Sequence, residues 1–191
     1  MRGLFIWLGA AVVVVGATVG LLWWTTATSA QFQVEGDRLS VSGQLTLAST
    51  ERLDRLLEEH EGLATFVLGD VAAASDATSL LQKGAVVRGA GLATEVADGV
   101  TLTGDAVYLF LAGTQRRLGD GARLVVTDWQ TRVGPASALP REHPAHEERR
   151  DYMRRMLGSE DFYWYMLEAG EGTGRPVTEA DLAGFGILTA E

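Results

Sequence analysis

The chain has 191 residues, 25 acidic against 16 basic, a formal charge of −9 and a single lysine, Lys83. That balance excludes a binder of nucleic acid or of an anionic membrane surface, and the length allows one domain plus a short extra segment. Without cysteine there is no disulfide framework and no thiolate metal site, and nothing follows about compartment.

Residues 3–24 are apolar and uncharged, 22 in succession behind Arg2. At about 1.5 Å per residue a helix of this length spans the roughly 30 Å hydrocarbon core, with Trp23 and Trp24 at the far interface. Arg2 on the near side, with Glu35 and Asp37 beyond the far side, favours an internal N-terminus. The expectation is a membrane anchor over 1–24, a linker over 25–31 and an exported domain over 32–191. The competing reading is a cleaved signal peptide, because Thr28-Ser29-Ala30 precedes Gln31, and cleavage would secrete the domain. The apolar run exceeds the usual 7–15 residues of a signal-peptide core, which favours the anchor. Gly16 and Gly20 form a small-xxx-small match that could pair two anchors.

Phe32–Glu35 and Arg38–Leu45 alternate as strands joined by a Gly36-Asp37 turn. Leu53, Leu56 and Leu57 after Ser49-Thr50-Glu51 predict an amphipathic helix over 50–60, closed by His60. Ala64–Leu68 reads as a short buried strand ending in a Gly69-Asp70 turn. Ser75-Asp76 cap a helix over 77–89, followed by a strand over Leu92–Ala97 and a turn at Asp98-Gly99. Gly104-Asp105 reads as a turn, with Asp105 the N-cap of an all-apolar and therefore buried helix over Ala106–Ala112. Gly113 ends that helix, Gly119-Asp120-Gly121 is a tight turn, and Arg123–Trp129 is a β-rich run. The last third predicts helices over 143–157, 162–169 and 178–183. In the first, Glu147 and Glu148 sit early and Arg149, Arg150, Arg154 and Arg155 late, while Tyr152, Met153 and Met156 face the core. Thr178 with Asp181 at N3 caps the last. Strands alternating with helices at this spacing imply parallel pairing with right-handed crossovers.

Phe110-Leu-Ala-Gly113 followed by Gly121-Ala-Arg-Leu-Val-Val-Thr-Asp-Trp129 resembles the core of the Clp-peptidase/crotonase-like superfamily. The likeness is strongest to its bacterial membrane-associated or periplasmic Clp-like proteins, often labelled hydrolases. Leu139-Pro-Arg-Glu-His-Pro-Ala-His146 and Phe162-Tyr-Trp-Tyr165 extend the resemblance over roughly residues 40–190. It implies an α/β fold: a ββα spiral core with an added C-terminal helical segment, behind an N-terminal transmembrane helix. It also implies an inner-membrane location with the domain on the periplasmic or extracellular side.

The departures from that family matter most. The family's nucleophilic serine falls on Gly104 and its histidine on Thr127, and the oxyanion segment maps to Ala72 and Ala73. A serine mechanism needs a nucleophile, a base within hydrogen-bond reach and donors for the oxyanion. Gly104 and Thr127 are therefore vestigial positions, and no catalytic residue is assigned firmly. Weak candidates are Asp105 and Asp128, which could approach one another as carboxylates with divergent pKa values, and Thr103 as a displaced hydroxyl. His143 and His146 share a helix face at i, i+3, but no third ligand is identifiable and the expected role is a solvated helix start, without metal or cofactor. In the 162–166 run, Phe162, Tyr165 and Met166 are assigned to the core and Tyr163 and Trp164 to a binding or subunit contact. The expected function is a domain without peptidase activity that binds or scaffolds a protein partner or its own copies. The alternative is an enzyme, either a hydrolase with a displaced nucleophile or a crotonase-type acid–base enzyme working through carboxylates.

Overall fold

The computed structural model describes residues 30–72, 77–168 and 174–189. The anchor or signal segment, Ala73 and Ser75 lie outside the described residues. Among the described residues no helix is long and apolar enough to cross a membrane.

The first structural turn of the chain is a hairpin, β1 (Gln31–Glu35) and β2 (Arg38–Gln44), paired antiparallel through Gly36-Asp37. Helix α1 (Leu47–Glu59) then leads to β3 (Thr65–Ala72), and α2 (Ala77–Gly89) to β4 (Ala93–Val96). From there the chain alternates between two sheets. After β5 (Thr101–Thr103) come α3 (Ala106–Leu111), β6 (Arg116–Leu118) and β7 (Arg123–Val126). Strands β4 and β6 pair in parallel in one sheet, and β5 and β7 pair in parallel in the other. Two successive turns of the chain thus each give one strand to each sheet, which is the ββα spiral. The five-stranded sheet runs β1-β2-β3-β4-β6.

The remaining strands are short. A small hairpin, β8 (Gln130–Thr131) with β9 (Gly134–Pro135), leads to a 3-10 turn over Pro144–His146 and α4 (Glu147–Leu157). Helix α5 (Asp161–Leu167), β10 (Arg175–Pro176) and α6 (Glu179–Gly184) complete the chain, with β10 antiparallel to β7. This is the expected C-terminal helical segment, and its β10 extends the second sheet along β7.

Several expectations are corrected. Helix α1 starts at Leu47 because Ser49 sits at its third position, its hydroxyl accepting from the Thr46 N–H at 3.0 Å. Strand β3 runs through Gly69-Asp70 instead of turning there. A Cβ at Gly69 would lie 3.1 Å from the Val41 carbonyl oxygen, beside the register shift between Val41 and Gly43 in β2. The pair is a close backbone approach inside a sheet, not a turn. Strand β6 lies in a stretch for which the sequence predicts no element, and its first residue, Arg116, is buried. Its guanidinium donates to the carbonyls of Ile187 at 2.6 Å, Gly113 at 3.0 Å and Gly186 at 3.1 Å, fastening the C-terminal tail to the sheet edge.

Helix α3 is the hub of the core. All six of its residues are buried, as an all-apolar helix must be. Helix α2 packs on it, and Tyr152 of α4 reaches across α2 to donate its hydroxyl to the Tyr108 carbonyl at 2.8 Å. Gly84 makes that crossing possible, since a Cβ there would meet the Tyr152 hydroxyl at 1.9 Å. Gly84→Ala is expected to destabilise the fold by about 1–3 kcal/mol through overpacking. Gly89→Ala, at the end of the same helix with nothing within 4 Å of the new methyl, should be neutral or stabilising by up to about 1 kcal/mol. Thermal unfolding of the two variants checks the contrast, and equal shifts would contradict this packing.

Candidate functional site

Gly104 joins β5 to α3. Its φ of +60° is the left-handed conformation that glycine adopts without strain, and its N–H donates to the Val125 carbonyl of β7 at 2.9 Å. A Cβ on Gly104 would lie 3.0 Å from Thr127 Oγ1. Gly104 and Thr127, 23 positions apart in the numbering, therefore face each other at the head of α3. What meets there is a bare backbone and a hydroxyl. Thr103, beside them, is exposed at the end of β5. Ala72 ends β3 opposite Gln44.

Asp105 does not cap α3. Its backbone is already helical, at φ −64° and ψ −20°, and its side chain makes no cap hydrogen bond. The carboxylate instead lies 3.8 Å from the Arg149 guanidinium. Burial raises the Asp105 pKa, and Arg149 opposes that rise only in part. Asp128 is buried too, but its partner is different: Oδ2 accepts from the Ser137 N–H at 3.1 Å, while Oδ1 has no hydrogen-bond partner. The two carboxylates are held by separate groups and not by a shared proton.

Arg149 is the residue that sequence reasoning misplaced. It is the third residue of α4, not a late one, and its side chain is buried, 8 % exposed. Its guanidinium carbon stacks 3.8 Å from the centre of the Trp129 ring, so one cation meets the α3 head on one side and an indole face on the other. The signal was present: His146, Arg149, Tyr152, Met153 and Met156 repeat at helical spacing, and all five are buried.

The Trp129 N–H donates to the Tyr163 hydroxyl at 3.1 Å, and that hydroxyl is 2.5 Å from His146 Nδ1. Burial pushes the Tyr163 pKa up to about 12, so the phenol keeps its proton and its O–H donates a hydrogen bond to the imidazole. His146 is then neutral with its proton on Nε2, a tautomer assigned from the network. This corrects two expectations. His146 is a fully buried member of a hydrogen-bonded chain and not a solvated helix start, and Tyr163 is core and not contact surface. His143 is exposed, with Nδ1 accepting from the Ala145 N–H at 3.2 Å. Among the described residues no group of three histidine, aspartate or glutamate side chains is placed to hold a metal ion. Trp164 stays partly exposed, donating to Glu160 at 3.1 Å, with the Arg141 guanidinium 4.6 Å from its ring centre.

Desolvation lowers the His146 pKa below 6.5, with the Leu139 and Pro140 carbonyls opposing. Below about pH 6.5 the unfolded chain binds a proton at this residue that the folded chain resists. Stability is therefore expected to fall as pH drops from about 6.5 toward the lower folded pKa. His146→Gln should lower stability at pH 7 and flatten this part of the profile. Urea unfolding of both proteins between pH 7 and pH 5 checks it, and parallel profiles would remove His146 as the source.

No family model and no curated protein matches the sequence. Solved structures do match by shape. PA4980 of Pseudomonas aeruginosa is 16% identical, with a TM-score of 0.53, over 84% of this chain and 76% of its own. The membrane-bound stomatin-specific protease 1510-N, solved with a substrate peptide, is 12% identical at a TM-score of 0.53, over 78% of this chain and 71% of its own. An enoyl-CoA hydratase from Shewanella pealeana is 11% identical at a TM-score of 0.54, over 86% of this chain and 68% of its own. Identities this low carry architecture and not chemistry. Both branches of the resemblance, Clp-like protease and crotonase-type hydratase, appear among these structures, and the chain has the Clp/crotonase-like fold.

Proposed function

We propose that this chain is a non-catalytic Clp/crotonase-fold domain that works by binding a protein partner through a peptide segment. One observation carries the reading: at the head of α3 a glycine faces a threonine hydroxyl, and among the described residues no other group outside its chain neighbours comes within 4 Å of the place its Cβ would take. A threonine hydroxyl without a base is a poor nucleophile at neutral pH. Asp105, the chain neighbour of Gly104, is paired with Arg149. Likeness to a protease solved with a substrate peptide supports a peptide as the ligand class. Anchoring by residues 1–24, with the domain on the exported side of the membrane, belongs to the same proposal and rests on the apolar run alone.

A second reading has its own observation. Asp105, at the head of α3, is partly buried with a raised pKa, which is the condition of a candidate acid–base carboxylate. The two readings separate in two assays on the full-length protein. A fluorophosphonate probe is expected to leave it unlabelled, and labelling abolished by Thr103→Ala or Ser75→Ala would overturn the binding reading. A screen of esters and thioesters is expected to show no turnover. Turnover that disappears in Asp105→Asn would establish the carboxylate enzyme instead, and turnover unchanged by that substitution would retire Asp105.

A further inference from the structure

A cleft of about 130 Å³ opens between the segment after β9 and helix α5, lined by Ser137, Leu139, Arg141, Trp164, Leu167 and Glu168. It is somewhat smaller than the roughly 150 Å³ apolar cavity that accepts benzene, so it has room for one aliphatic side chain and no more. Leu139, Leu167 and the Trp164 ring supply apolar walls. The cleft adjoins the site already described, because Ser137, on its wall, donates its N–H to Asp128, the neighbour of Thr127.

Two guanidinium groups approach the Trp164 ring, and they differ in one respect. Arg150, 5.6 Å from the ring centre, is paired with Glu160 at 3.0 Å. Arg141, 4.6 Å from it, is exposed and has no carboxylate within 4 Å among the described residues. Stacking occupies the face of a guanidinium and leaves its in-plane N–H donors free, in the fork geometry that fits a carboxylate. Arg141 is thus a pre-oriented, unanswered cation at the mouth of a cleft of side-chain size. Glu168, also on the cleft, disfavours a second negative charge on whatever binds.

We propose that this cleft receives the C-terminal residue of a peptide, with its carboxylate on Arg141 and a leucine-sized side chain between Leu139, Trp164 and Leu167. The proposal rests on the binding reading above and names the ligand's chemistry. A free acid of the same size would satisfy Arg141, but it buries too few atoms for useful affinity on its own. A peptide adds backbone contacts outside the cleft.

The test is fluorescence anisotropy on the full-length protein with a fluorescein-labelled Gly-Ser-Gly-Ala-Leu peptide, as the free acid and as the C-terminal amide. The free acid is expected to bind at least about tenfold more tightly, the scale of a lost hydrogen bond to a charged group. Arg141→Gln should abolish that preference. Trp164→Leu should weaken both peptides, and Arg141→Gln serves if that variant unfolds, because Arg141 is exposed. Equal affinity for acid and amide, or a preference that survives Arg141→Gln, overturns the proposal. Isovalerate that competes as strongly as the free-acid peptide overturns the peptide assignment in favour of a small carboxylic acid. These outcomes are independent of fluorophosphonate labelling: a labelled protein that keeps the acid preference retains the cleft and loses only the non-catalytic reading.

Discussion

The contact on which the two parts of this molecule depend is Arg149, set between the Asp105 carboxylate and the face of Trp129. Asp105 belongs to the spiral core, at the head of α3, while Arg149 belongs to the C-terminal helical segment packed over it. Both are largely buried, which makes the pair costly to desolvate and costlier still to break on one side only. Arginine suits the position because its guanidinium is weakly hydrated, stays charged and stacks on an aromatic ring. The Nε of Arg149 still lacks a hydrogen-bond partner, so the geometry is not optimal and the pair is better described as a constraint on docking than as a source of stability.

From that contact a polar chain runs through Trp129 to the fully buried Tyr163 and His146. The Tyr163 hydroxyl stands between the other two, and the rings pack around it, His146 edge to face with Tyr163 at 5.7 Å and tilted against Trp164 at 5.1 Å. The apolar half of the same interface comes from Tyr152, Met153, Phe162 and Met166. The aromatic run over 162–165 therefore divides by helical geometry: Phe162 and Tyr163 point inward, and Tyr165 and Trp164 lie at the boundary, where their polar ends reach Asp181 and Glu160.

What could be read without coordinates was whatever repeats or caps locally. The β1–β2 hairpin, the 77–89 helix, the buried helix after Gly104 and the Thr178–Asp181 cap follow from spacing, turn residues and hydroxyl–carboxylate chemistry within a few positions. What could not be read depends on partners far along the chain. Strands β5 and β6, three residues each, exist because β7 and β4 lie beside them. Asp105 has the composition of a cap, yet its side chain is turned to a cation 44 positions later. Tyr163 and His146 look like surface polar groups until they are seen to hydrogen-bond each other inside the fold. The approach of Gly104 and Thr127 was legible only through the resemblance, as no local pattern links them.

The electrostatics at the head of α3 follow from what stands at Gly104. In an active serine site the helix end faces a nucleophile and a developing negative charge, which is transient and shared with solvent and substrate. Gly104 carries no side chain, and the group next to it, Asp105, is a carboxylate. A carboxylate under partial burial has three outcomes: it takes up a proton, it reaches water, or it finds a cation. The raised Asp105 pKa shows the first tendency and Arg149 supplies the third, drawing the C-terminal segment down onto the core. A buried arginine on α4 and a carboxylate before α3 thus belong to one arrangement, an ion pair that ties the C-terminal segment to the head of the core helix.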